Sequence, residues 1–66
     1  MNYDFCEELD TPEIMVILNK HWWYANAADI TEWFKQSSAT AFGNNSMMLF
    51  IPEPADRTYF MLRWPQ

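Results

Sequence analysis

The sequence predicts an α+β fold in which two or three N-terminal helices pack on a C-terminal three-stranded antiparallel sheet. Two patterns support this prediction. Helix-start signals and helically spaced apolar residues occupy the first half of the chain, whereas turn residues, prolines and two-residue alternation follow Ser38. The length points the same way, because 66 residues suit one small globular domain, expected to span 1–66.

The first predicted helix is short and lies before Pro12. Phe5, Cys6 and Leu9 would share one of its faces, and its opposite face would be acidic. Pro12 would separate this helix from the next or kink the two, because proline lacks a backbone donor and clashes with the preceding turn.

The second predicted helix begins at residues 11–13. These supply a threonine N-cap, a proline at the first helical position and an acid in the first turn. The continuous apolar run 14–18 would also suit a strand, but the start signal favours a helix. The side chains of its buried stripe follow helical spacing: Ile14, Ile17, Leu18, His21 and Trp22.

The third predicted helix covers residues 30–37. It follows a capping-box pattern, with Asp29 at the N-cap and Glu32 three positions later. Residues 23–28 would connect it to the helix before, and Asn26 is an alternative cap.

The C-terminal half reads as an antiparallel meander. Residues 39–42 and 46–51 are strand candidates, joined by the Gly-Asn-Asn turn signal at 43–45. Two prolines predict a loop over 52–56. The two-residue alternation over 57–64 predicts the clearest strand.

One face of that last predicted strand would carry Arg57, Tyr59, Met61 and Arg63. Charged side chains on an edge strand discourage unwanted strand pairing, so a solvated face is the main interpretation. The alternative is a face that stacks on nucleobases or contacts a partner.

The charge is concentrated at the N-terminus. The chain has nine acids and four bases, for a net charge of −5, and the acids after Ile14 balance all four bases. On a helix Asp4 and Glu8 would be neighbours whose like charges repel, a cost that a basic partner would relieve. The alternative is a solvated face that keeps a hydrophobic protein soluble. The expected partner-binding acids are Asp4, Glu7, Glu8, Asp10 and Glu13.

Aromatic residues are unusually frequent, with four Trp, three Tyr and five Phe. Large rings build a core efficiently in a small domain, so most of them are expected inside. A chain this short would still expose some of them, as a partner surface or a homodimer seam. Trp22 and Trp23 are the expected partner-binding aromatics.

The composition argues against several kinds of chemistry. One Cys and one His cannot supply a disulfide framework or the four ligands of a structural zinc site. Cys6 and His21 are the only residues for a nucleophilic pair, and nothing in the sequence brings them together. A cation site from Asp4, Glu8 and Asp10 would lack the calcium-loop spacing. The single glycine excludes a glycine-rich phosphate loop. We therefore expect no enzyme activity, cofactor or metal.

The sequence also predicts the setting of the protein. The pI near 4.4 argues against direct nucleic-acid binding. The first thirteen residues contain no Lys or Arg, unlike a secretory signal, and the longest apolar runs, 14–18 and 47–52, are too short to span a bilayer. With a lone cysteine, these features favour the cytoplasm and no membrane association.

In size and acidity the chain resembles phage-encoded anti-CRISPR proteins and, more broadly, small acidic DNA mimics. Residues 4–10 and the adjacent aromatic residues 22–24 prompt this resemblance, which is one of general type and involves no shared motif. It implies a non-enzymatic inhibitor, monomeric or a small homo-oligomer in the host bacterium. Its acidic surface would occupy a basic nucleic-acid-binding site of a CRISPR-Cas effector complex. One alternative is a small oligomerising structural or assembly subunit that acts through an exposed aromatic surface. Another is a regulator that binds a host protein unrelated to nucleic acid.

Overall fold

A computed structural model describes residues 1–42 and 47–66 and confirms the α+β class. It contains strands, two 3₁₀ turns and two α-helices. In chain order these are β1 (Tyr3–Cys6), a 3₁₀ turn (Glu7–Leu9), β2 (Thr11–Ile17), α1 (Lys20–Trp33), a second 3₁₀ turn (Phe34–Gln36), β3 (Thr40–Phe42), β4 (Met48–Phe50) and α2 (Pro54–Arg63).

The four strands form one antiparallel sheet in the order β1-β2-β4-β3. β2 and β4 are therefore central, and β1 and β3 are the edges. The predicted sheet had three strands from the C-terminal half. The observed sheet instead takes two of its four strands from the N-terminal segment, where helices were predicted.

Both helices pack on one face of the sheet. Alternate strand residues facing them are fully or almost fully buried, as expected for a pleated strand. The helices and the C-terminal segment complete the core with large rings and one isoleucine. The buried residues are Tyr3, Met15, Ile17, Leu49 and Ile51 from the sheet side, Trp23, Ile30 and Trp33 from α1, and Ala39, Phe60 and Trp64.

The two helices predicted before residue 22 are wrong, because the chain there forms β1 and β2. The start signal at 11–13 is local, whereas β2 gains hydrogen-bonded neighbours on both sides. Pro12 is tolerated because the β1–β2 register jumps beside it, from Phe5 opposite Met15 to Cys6 opposite Thr11. The predicted apolar face of Phe5, Cys6 and Leu9 is thereby divided between β1 and a 3₁₀ turn.

The predicted boundaries of the third helix are also wrong. α1 begins at Lys20 and ends at Trp33, so it includes residues 23–28 that were expected to be a connection. Its N-cap is Asn19, whose side-chain oxygen accepts a hydrogen bond from the Trp22 backbone N–H at 3.1 Å. The expected caps, Asp29 and Asn26, lie inside the helix, and Asn26 donates to the Trp22 carbonyl.

The predicted strand over 57–64 is a helix. Pro54 starts α2 at a position where its missing N–H costs nothing, so the predicted loop over 52–56 ends at Glu53. Of the alternating residues only Phe60 and Trp64 are buried, four apart as on a helix, whereas Leu62 is 78% exposed. The apparent two-residue alternation arose because Phe60 and Trp64, which lie four residues apart on one helix face, are also an even number of residues from the exposed Leu62.

The predicted arginine face therefore does not exist as a strand face. Arg57 donates to the carbonyls of Ile51 and Pro52, and so ties α2 to the end of β4. Arg63 lies 3.8 Å from an Asp29 carboxylate oxygen and over the ring of Trp64.

The strands predicted over 39–42 and 46–51 are confirmed as β3 and β4, each shorter than predicted. The turn predicted at 43–45 lies outside the described residues. Ala41 pairs with Leu49, and Leu49 pairs with Met15, so β4 connects this pair of strands to the N-terminal pair.

Candidate partner-binding surface

The centre of the sheet face opposite the helices is apolar. We use the name open sheet face for the outward-facing residues of β2 and β4, together with the residue just after β2. Two cross-strand pairs form its centre, Ile14 with Phe50 and Val16 with Met48. Ile14 and Val16 are half-buried, Met48 and Phe50 are each 36% exposed, and Leu18 is 55% exposed. The open sheet face therefore consists of Ile14, Val16, Leu18, Met48 and Phe50.

Acidic side chains border the open sheet face. Asp4 is exposed on β1 and pairs with Val16, which places its carboxylate beside the apolar centre. Glu7 and Glu8 follow on the exposed 3₁₀ turn. We call Asp4, Glu7 and Glu8 the acidic edge.

A shallow pocket of about 360 Å³ joins the acidic edge to the open sheet face. Its lining combines acidic and apolar residues. Val16 and Leu18 belong to both the pocket and the open sheet face, so the two surfaces are continuous. The lining residues are Asp4, Phe5, Cys6, Glu7, Glu8, Leu9, Val16 and Leu18.

The other two acids of the predicted site lie apart from this pocket. Asp10 ends the 3₁₀ turn with a positive φ of 60°, a left-handed conformation that Asp tolerates better than most residues. Glu13 is half-buried in β2 and does not line the pocket. The structure thus brings together three of the five predicted acids, from two adjacent elements rather than one helix.

The charge of the acidic edge is not neutralised within the described part of the chain. The ion pairs found there join Lys35 to Glu32 at 3.1 Å and Arg63 to Asp29 at 3.8 Å, both in the helical layer. A basic group on another molecule would therefore meet three carboxylates that have no cationic partner among residues 1–42 and 47–66.

The two tryptophans that were predicted to bind a partner pack mainly against other residues of the protein. Trp23 is 6% exposed and belongs to the core. Trp22 is half-buried, with its ring centroid 5.3 Å from that of Tyr3 and 6.5 Å from that of Phe60. Trp23 has little surface to offer a partner, and Trp22 is only partly exposed.

The two residues considered for a nucleophilic pair lie on different elements. Cys6 is half-buried at the end of β1, and His21 is exposed on the first turn of α1. No group of three or more His, Cys, Asp or Glu that could hold a metal ion occurs among the described residues. In that same part of the chain, neither helix is long and apolar enough to cross a membrane.

Sequence reasoning missed the open sheet face. β2 and the residue after it place Ile14, Val16 and Leu18 on this face, whereas Met15 and Ile17 of β2 point into the core. The signal was the continuous apolar run 14–18, because a strand that is apolar on both faces has a second surface to cover.

Comparisons with known protein families, with curated proteins and with solved structures find no match to this chain.

Proposed function

We propose that this protein is a non-enzymatic inhibitor that binds another protein and occupies its basic nucleic-acid-binding site. The observation that supports this proposal is the acidic edge, where Asp4, Glu7 and Glu8 line one pocket without an ion-pair partner among the described residues. Its resemblance in type to anti-CRISPR proteins makes a CRISPR-Cas effector complex, in the bacterial cytoplasm, the first candidate target.

The physical basis of the proposal is competition for positive charge. Proteins that bind nucleic acids present Lys and Arg to a dense row of phosphates. A folded surface with closely spaced carboxylates can neutralise the same groups, and its field accelerates the encounter. Added salt weakens such binding, because the screening length is about 10 Å at 0.1 M ionic strength.

A second candidate function is an oligomerising structural or assembly subunit. The observation that favours it is the exposed apolar area of the open sheet face, with Met48 and Phe50 each 36% exposed. This function predicts a sedimentation mass above 7.9 kDa and little sensitivity to salt. The inhibitor predicts strong salt dependence and displacement of nucleic acid from its target.

The test uses two variants that each remove three negative charges. The first carries Asp4→Asn, Glu7→Gln and Glu8→Gln on the acidic edge. The matched control carries Asp29→Asn, Glu32→Gln and Glu53→Gln, which are exposed residues outside the acidic edge. Affinity is measured for a panel of purified CRISPR-Cas effector complexes, together with the amount of target DNA that each complex binds.

We expect the acidic-edge variant to lose about tenfold or more in affinity, equivalent to about 1.4 kcal/mol, and to release the DNA-binding activity of the target. The control should change affinity far less, because its charges lie elsewhere. Equal losses in both variants would show that only net charge matters, and no binding to any complex would remove the proposed target.

A further inference from the structure

The open sheet face departs from what an antiparallel sheet normally presents to water. In a sheet with helices on one side, the other side usually carries polar residues. Here both central strands place apolar side chains outward, at Ile14 and Val16 of β2 and at Met48 and Phe50 of β4. Contiguous apolar surface of this kind is typical of an interaction site.

The area of this face is too small for a stable interface by itself. Even if all four strands, about 4.8 Å apart, were as long as the seven-residue β2, about 24 Å, the face would span only about 350 Å². Stable protein interfaces bury about 800 Å² on each partner. A partner seated here must therefore extend onto neighbouring surface, and the pocket that shares Val16 and Leu18 leads directly to the acidic edge.

The negative charge of the acidic edge determines which kind of partner can bind here. A symmetric dimer would use the same patch on both copies, so each acidic edge would lie within or beside the shared interface. The basic residues of the chain lie in helical segments, at Lys20, Lys35, Arg57 and Arg63, and none of them lines the pocket. A second copy would therefore add like charge without cations to balance it, whereas a basic partner would complement the acidic edge.

We propose that the open sheet face and the acidic edge together bind a basic amphipathic helix of the partner protein. The apolar stripe of that helix would lie across Val16, Met48 and Phe50, and Lys or Arg on its flank would reach Asp4, Glu7 and Glu8. A helix is about 10–12 Å wide, which fits a four-stranded face about 15 Å across. This inference rests on the proposed function and adds the chemistry of the element that is bound.

The probe is a synthetic amphipathic peptide of about 18 residues, with leucines at i, i+3, i+4 and i+7 and lysines beside them. A scrambled peptide of the same composition keeps the charge and loses the apolar stripe. Fluorescence anisotropy measures the affinity of the full chain for each peptide at low and high salt. We expect the amphipathic peptide to bind about tenfold or more tightly than the scrambled one.

Two double variants separate the open sheet face from general hydrophobicity. Met48→Gln with Phe50→Gln changes the face, and Tyr24→Gln with Leu62→Gln changes helix residues that are 72% and 78% exposed. The first should abolish the preference for the amphipathic peptide, and the second should leave it unchanged. Val16→Thr, which conserves shape, is the additional variant if the first fails to fold. It should reduce the preference in the same direction.

Several outcomes would overturn the inference. One is equal affinity for the two peptides, or no binding of either. Another is a wild-type dimer that Met48→Gln with Phe50→Gln converts to a monomer, which would assign the face to a second copy. If the acidic-edge variant alone weakens binding to an effector complex and the face variants do not, the inference fails while the proposed function stands.

Discussion

Asp56 joins the first turn of α2 to the segment that follows α1. One carboxylate oxygen accepts from the Ser38 hydroxyl at 2.6 Å and from the Ser38 backbone N–H at 3.0 Å. These hydrogen bonds favour the charged form and lower the pKa of Asp56 below its ordinary value of 3.8. The contribution to stability is therefore present above about pH 4 and is lost as the pH falls through the lower pKa of the folded state.

We predict that Asp56→Ala destabilises the protein by about 1 kcal/mol at neutral pH, because two hydrogen bonds to a charged group are lost from a partly exposed site. Urea denaturation at neutral pH and at about pH 2.5 measures the effect, which should shrink at the lower pH. Glu53→Ala is the control, since the Glu53 side chain makes no capping hydrogen bond. An effect of Asp56→Ala that is the same at both pH values would contradict the linkage.

Tyr3 connects the first strand to the end of the chain. Its ring is fully buried, and its hydroxyl donates to the Trp64 carbonyl. Burial disfavours the phenolate and raises the pKa of Tyr3 above 10. The protonated tyrosine thus contributes stability below about pH 10, and that contribution is lost as the pH rises through the higher pKa of the folded state.

We predict that Tyr3→Phe costs about 1–2 kcal/mol, because the Trp64 carbonyl loses a buried partner. Denaturant unfolding should also show that the variant loses less stability than the wild type above about pH 10, since it has no buried phenol to ionise. Tyr24→Phe serves as the control, as Tyr24 is exposed. A variant as stable as the wild type would show that the hydroxyl hydrogen bond contributes nothing.

At the scale of elements, α1 shows how two plausible caps compete. Asn19 precedes the helix and accepts from the Trp22 backbone N–H, whereas Asp29 lies inside it despite its capping-box pattern. A capping box forms only where the N-cap residue itself has a non-helical backbone conformation. Trp23 before Asp29 and Ile30 after it are both buried in the core. Burial of these side chains along one continuous helix overrides the second start signal.

Cap substitutions test this boundary. Asn19→Ala should cost about 1 kcal/mol, because an N-terminal backbone donor of α1 loses its partner. Asp29→Ala should change stability by less than about 0.5 kcal/mol, since it removes only an exposed ion pair with Arg63. Thermal denaturation with both variants decides between the observed helix and one that begins after Asp29. The reverse ranking would contradict a helix that begins at Lys20.

The strands show why local signals predicted only part of the fold. β3 and β4 were predicted because turn chemistry and apolar runs coincide there, and both are short-range signals. β2 was not predicted, because residues 11–13 carry a helix-start signal. The strand forms because it pairs with β1 and with β4, which follows α1 in the sequence. The apolar run 14–18 was compatible with a strand, but the pairing with β4 that favours the strand lies too far along the chain to be visible in a local window.

For the whole molecule, composition was the better guide. The aromatic excess predicted a ring-rich core, and Tyr3, Trp23, Trp33, Phe60 and Trp64 form it. Counting charges placed the net negative charge before Ile14. The grouping of Asp4 with Glu7 and Glu8, and their contact with an apolar face, required the sheet order, which the sequence alone does not specify.

The strand order also determines how the two parts of the chain are held together. β1 with β2, and β3 with β4, are pairs of strands that follow one another in sequence, and the sheet joins the pairs only between β2 and β4. Among the described residues, that junction has three ladder pairs, from Ile14 opposite Phe50 to Val16 opposite Met48. Two further backbone hydrogen bonds flank it, from the Ile17 N–H to the Met47 carbonyl and from the Ile51 N–H to the Glu13 carbonyl. A molecule bound across the open sheet face would span this seam and clamp one pair of strands to the other. Because such a ligand would bind only while the two pairs are joined, its binding would stabilise the closed sheet at this junction.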